Sequence, residues 1–241
     1  MGRALSTPNI SQRRSILEEP YSFAAAVIMA AAFIVGIFYS LDALHGERRD
    51  RSILFWKSLP VSDFTTVLAK ASIPIVVLPL LAFVITAATQ WIMLVFSTAV
   101  LLGSGGSVAD LWTGVWAFQL HLLYHLVTVH MFWYAPLYAW MLLVSAWARR
   151  AAFLWAALPP LGIFVVEKLA FNTSHFVALL YYRLTGPERY GFAGPGALAA
   201  HSMMHLSLAK FLATPGLWTG LIVAVIFLAA AVRLRRRQGP M

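Results

Sequence analysis

The sequence predicts an all-α, polytopic transmembrane protein with about five spans and a few short interfacial helices. Three observations carry that expectation. Of the 241 residues, 61% are apolar and only 11% charged, with a mean hydropathy of +0.77. A soluble domain runs near about 45–50% apolar and about 25% charged. The apolar residues come in long unbroken runs, as membrane spans do. The basic residues concentrate on alternate loops, as topogenic charge does. Cysteine is absent, which excludes disulfide scaffolds, thiolate zinc sites and thiol nucleophiles. No Gly-Lys dipeptide occurs, so the sequence contains no P-loop.

The elements follow in chain order. Residues 1–20 form a polar segment with no apolar core of a signal peptide. Residues 21–237 then make a single transmembrane domain. The first span covers about 21–44 and has no charge from Phe23 to Leu41. The second covers about 73–102, with Pro74 and Pro79 near its start. Gly103 to Ser107 make a flexible loop. The Trp-rich stretch from Val108 to Leu122 reads as an interfacial helix, and about 123–147 as the third span, closed by Arg149 and Arg150. The fourth covers about 151–170 around Pro159-Pro160. Residues 171–215 hold two short apolar runs around a Gly/Pro-rich turn, and the fifth span covers about 216–232.

Charge orients this set. One side gathers Arg48, Arg49, Arg51, Lys57, Lys70, Arg149, Arg150, Arg233, Arg235, Arg236 and Arg237. The positive-inside rule makes that side cytoplasmic, with the C-terminus, and leaves residues 1–20 outside. The net charge of +9 therefore needs no nucleic-acid partner. The lipid bilayer is partner enough.

The segment 45–70 reads as a working part. Mixed charge at Glu47, Arg48, Arg49 and Arg51 leads into the apolar set Ile53, Leu54, Phe55, Trp56 and Leu59. A short helix from about Asp50 to Leu59 is expected, stopped by Pro60, with Ser62 or Asp63 capping the next helix. An exposed aromatic ridge with basic flanks suits a docking contact. The same composition suits a helix lying flat on the membrane.

This stretch, Glu47 to Ser62 with Lys70 following, resembles the cytoplasmic loop of ABC-2 type transporter permeases. In that family a span ends in Glu-Arg, a short Ser/Trp/Pro helix follows, and a Lys opens the next span. The patch Ser145 to Ala156 is similar to the tight cytoplasmic turn between later spans. The resemblance implies a permease subunit of an ATP-driven exporter in a bacterial inner (plasma) membrane. It implies two permease subunits, as a homo- or heterodimer, and a separate ABC ATP-binding subunit that binds ATP and Mg. The chain itself would be no enzyme and hold no cofactor. Glu47, Arg48, Arg49 and Arg51 would form ion pairs at the ATPase, with Phe55, Trp56 and Leu59 as apolar anchors. Members usually have six spans, so this layout is about one span short of the plan. A truncated permease or a non-transporting membrane scaffold is the alternative.

Histidines supply a rival reading. His121 and His125, and His201 and His205, are spaced i, i+4, so each pair shares a helix face and could hold a metal. Met203 and Met204 beside the second pair would suit copper. Packing under an external cap explains the same residues without metal. Among polar groups inside spans, Gln90 is the candidate for a pathway or subunit contact, and the adjacent Glu167 and Lys168 for interfacial capping.

Overall fold

The computed structural model describes residues 10–103, 112, 116, 119–120, 122–185 and 211–237. Among them the backbone is helical, with no strand. Helix α1 covers Ile10–Asp42, α2 His45–Arg49, α3 Ile53–Ser58, α4 Asp63–Ser72 and α5 Leu78–Gly103. Helix α6 covers Leu122–Trp133, α7 Ala135–Trp147, α8 Ala152–Val166, α9 His175–Thr185 and α10 Pro215–Arg237. Among the described residues four helices are long and apolar enough to cross a membrane, or five where the α6–α7 pair, bent by 43°, is counted as one span. The chain is an all-α polytopic membrane protein, as its composition predicts.

Prolines shape the spans more than the sequence suggests. Pro74 and Pro79 each remove an N–H from the ladder, and a π-helical turn over Ile73–Val77 joins α4 to α5 without a break. The 41-residue helix from Asp63 to Gly103 is about 60 Å long, twice a hydrocarbon core, so its first turns stand clear of the bilayer. Pro136, which the span count passes over, falls just past the bend at Tyr134; the turns before it are π-helical from Leu126 to Trp133. Pro159 and Pro160 lie inside an unbroken α8. Pro160 leaves the Ala156 carbonyl without its helical donor, and the Trp140 indole N–H of α7 donates to that oxygen at 3.2 Å.

Small residues set the tightest contact. Between lipid-facing helices the hydrophobic effect gives little, so close packing drives association. Ala135 and Ala139 of α7 bury against Ala224 of α10, while Ala146 buries with Ala231 and Val232. Early meets early and late meets late, so α7 and α10 run parallel. At one end of the bundle, Leu44, Val67, Ala146 and Ala231 form a core; toward the other, Phe33, Val129, Trp133, Tyr134 and Tyr138 do. Gly36 is required beside Tyr138, where an added Cβ would sit 2.9 Å from the ring.

Three local expectations change. The helix α1 is already formed at Ile10, with Pro20 inside it, so a helix occupies half of the polar segment. The helix expected from Asp50 to Leu59 is shorter, Ile53–Ser58, and a separate helix, α2, precedes it; the two are divided at Arg51, whose φ of 59° lies in the left-handed region. Of the two external runs, the first is α9; the second lies almost wholly outside the described residues, and of the Trp-rich interfacial stretch only residues 112, 116, 119, 120 and 122 are described, all helical. The Ser62 cap is present: its Oγ accepts from Thr65 N–H at 3.1 Å.

Candidate functional site

The site lies at the end of the bundle where α1 stops. Ser145 of α7 accepts hydrogen bonds from both Leu44 and His45 N–H at 2.9 Å, which fixes the turn into α2. Gly46 follows, and a Cβ there would meet the exposed Asp42 carboxylate at 3.0 Å. The next two residues then point inward. Glu47 is only 8% exposed and meets Lys70 at 3.0 Å and Arg235 at 3.1 Å. Arg235, 4% exposed, uses its other nitrogen on Asp63 at 3.1 Å. Lys70 also donates to the Ala43 carbonyl. Two carboxylates and two cations from α2, α4 and α10 thus neutralise one another. Such a quartet holds only if every member stays, because an abandoned buried charge is costly. A hollow of about 290 Å³ opens beside it, bordered by Asp42, Asp50 and Lys70.

Arg48 points inward too. It is 5% exposed and donates to the Ala146 and Ala148 carbonyls at the end of α7. So α2 is fastened to α4, α7 and α10 at once.

The rest of the predicted contact set faces out. Arg49 pairs with Asp50 at 3.1 Å and reaches Asp42 at 4.0 Å, all three exposed. Arg51 is exposed at the break between helices. Phe55 is 62% exposed and stacks edge-on to Trp56 at 5.6 Å. Leu54, Leu59, Val61, Phe64 and Leu68 are exposed as well, while Ile53 of α3 is buried. The seven residues therefore split: Arg49, Arg51, Phe55, Trp56 and Leu59 are available to a partner, while Glu47 and Arg48 bind their own chain.

Toward the other end, Gln90 is buried between helices. It accepts from the Gln119 amide at 2.8 Å and donates to the Tyr21 carbonyl at 3.4 Å. His125 and His130 are buried with ring centroids 6.0 Å apart. His121, His201, His205, Met203 and Met204 lie outside the described residues, and among the described residues no group of three metal-type ligands forms. Glu167 caps α9: its carboxylate accepts from His175 N–H at 2.6 Å, Phe176 N–H at 2.9 Å and Thr173 Oγ at 2.9 Å. Lys168 takes no part in this cap.

Sequence reasoning missed two groups. The first is Arg235 in the clasp. Its signal was present: Gly220, Ala224 and Ala231 place a small-residue face on α10, and Arg235 continues it four residues on. The second is Arg183. It lies 4.6 Å above the Trp133 ring and donates to Gly216 O at 2.8 Å and Trp133 O at 3.3 Å. Trp133 Nε1 donates back to Arg183 O at 3.0 Å. Comparison with protein-family models, curated proteins and solved structures finds no match for this chain.

Proposed function

We propose that this chain is the permease subunit of an ATP-driven exporter of the ABC-2 type, seated in a bacterial inner membrane with its C-terminus cytoplasmic. Two such subunits act with separate ATP-binding subunits, which supply the ATP and Mg chemistry. One observation carries this reading. An exposed apolar ridge on α3 follows directly on a helix that is clasped to three membrane-spanning elements.

That arrangement suits force transmission. A partner closing on Phe55, Trp56 and Leu59 would push α3. The push passes into α2 across the Arg51 break. From there Glu47 carries it to Lys70 and Arg235, and Arg48 carries it to the end of α7. The inward turn of Glu47 and Arg48 makes them transmission residues on this reading, and leaves Arg49 and Arg51 as the charged contacts. The helices then shift between two packings biased by nucleotide. Gln90 and the Tyr21 carbonyl would have to part for a polar cargo to pass between α1 and α5.

The test uses the purified chain and a candidate ATPase encoded beside it. Phe55→Asp and Trp56→Asp alter exposed positions and should leave folding intact, yet abolish co-purification and stimulation of ATP hydrolysis. Unchanged assembly and stimulation in both variants would sink the coupling role. A ridge that instead binds protein-free liposomes and loses that binding in the same variants would favour the membrane-scaffold reading.

A further inference from the structure

Among the described residues, two π-helical turns inside the spans touch each other: Ile73–Val77 between α4 and α5, and Leu126–Trp133 in α6. In the first, Leu78 N–H reaches back five residues to Ile73 O. In the second, Tyr134 N–H reaches Val129 O at 3.0 Å. A five-residue reach interrupts the four-residue ladder, and such turns recur at kinks and functional sites. Prolines border both, Pro74 and Pro79 at the first and Pro136 at the second, and none carries an N–H. The helices that meet after the second turn are bent by 43°.

The neighbouring helices are adapted at the same level. One apolar core holds Val129 and Trp133 of the second turn, and Ile75 of the first packs on it. Phe33 and Ile37 of α1 and Leu221 of α10 pack there too. Gly36 lies between those two α1 residues, and Ser40 Oγ donates to its carbonyl at 2.7 Å, a back-bond that favours bending. Polar ties lie to either side of this level. On one side the clasp joins α2, α4 and α10. On the other, Gln90 of α5 joins Tyr21 of α1 and Gln119, and Tyr21 Oη meets Ser97 Oγ at 3.1 Å. Apolar contacts are non-directional, so the level between the two ties is where the bundle can change its angle.

We propose that the membrane domain hinges at this level. The block of α5, α6 and the outer part of α1 pivots as one body against the clasped block of α4, α7 and α10. The two π-turns and Gly36 absorb the change of angle, as hinge positions do. Helix α10 runs without interruption from Pro215 to Arg237, so it stays with the clasp. The inference rests on the coupling reading for what drives the pivot, and it names where the two packings of that reading differ. A static kink is the competing explanation, and the experiment separates the two.

The chain contains no cysteine, so an introduced pair carries the only spin labels. Phe96→Cys on α5 and Ile222→Cys on α10 sit at exposed positions across the hinge. Leu68→Cys and Arg236→Cys sit at exposed positions on α4 and α10, which the clasp joins. Pulsed electron–electron double resonance reads each distance in the purified chain in nanodiscs. No ATPase is present, so failure of the hinge and failure of the coupling reading are told apart. The arm from Ile75 to Phe96 is about 30 Å, so a pivot of about 10° moves its tip by about 5 Å. The cross-hinge distribution should be wider than the inner one by about that amount. Pro74→Ala/Pro136→Ala restores two backbone donors and should narrow it to the inner width. Equal widths for the two pairs in the otherwise native chain mean a static kink and overturn the hinge. A width that the proline variant leaves unchanged also overturns it, because the breadth then arises elsewhere. Should the double variant give no folded protein, Pro74→Ala alone carries the same readout.

Discussion

Replacing Glu47 by Gln tests the clasp directly. The side chain keeps its shape and loses its charge. Glu47 meets Lys70 at 3.0 Å and Arg235 at 3.1 Å, and both it and Arg235 are almost wholly buried. At an effective dielectric of about 20, each contact corresponds to roughly 5 kcal/mol of attraction, much of which desolvation offsets. The sharper guide is the loss of one partner from a buried pair, about 3–5 kcal/mol. Here Arg235 keeps Asp63, and Lys70 keeps the Ala43 carbonyl with some access to water. The cost should therefore fall at the lower end, about 3 kcal/mol. For a chain of this length that lowers the thermal midpoint by about 6–12 °C. Tryptophan fluorescence on heating in a fixed detergent reads it. Adding Arg235→Met to Glu47→Gln removes a partner whose contact with residue 47 the first change has already weakened, so the double variant should cost at least about 1 kcal/mol less than the sum of the singles. A midpoint within about 2 °C of the native chain, or strict additivity, would refute a buried, coupled clasp.

Three further outcomes follow from the same geometry. Trp140→Phe should lower the midpoint by about 2–4 °C, the loss of one hydrogen bond worth about 1 kcal/mol; Pro160→Ala restores the missing N–H and should rescue it, and failure of that rescue would break the link between the indole and the Ala156 carbonyl. Gly220→Ala places a Cβ 2.4 Å from the Arg183 guanidinium, which is pinned by Trp133 and two carbonyls, so it should destabilise by about 1–3 kcal/mol; if Arg183→Ala in the same chain does not blunt the effect, the clash is not its cause. Glu167→Gln weakens the cap on α9, so the amides of His175 and Phe176 should exchange hydrogen faster, with no change at the α10 amides, and unchanged exchange would contradict the capping role.

The spans were legible because bilayer thickness demands long apolar runs, and the α-helix alone satisfies the backbone within them. The Ser62 cap and the Pro60 stop were legible because both act within a few residues. The clasp was not. Glu47 and Arg235 are 188 residues apart, and an arginine run cannot say which member faces its own bundle. Charge next to a span end reads as outward-facing until packing shows otherwise, which is why Glu47 and Arg48 were grouped with Arg49 and Arg51. The break at Arg51 was hidden because a left-handed residue is usually announced by glycine or asparagine. Pro136 bends a span whose composition alone looks continuous.

The clasp also imposes an order of events on the nascent chain. Glu47 and Lys70 emerge early and can pair as soon as α4 is made. Asp63 has no basic partner in the clasp until Arg235 arrives, four spans later. Until then a carboxylate at the membrane edge stays open to water or to a holding factor. Closure of the quartet is thus a chemical report that α10 has entered beside α7 in the right direction. A chain whose last span fails to enter would keep an unpaired acid at Asp63, where the finished protein pairs it with Arg235.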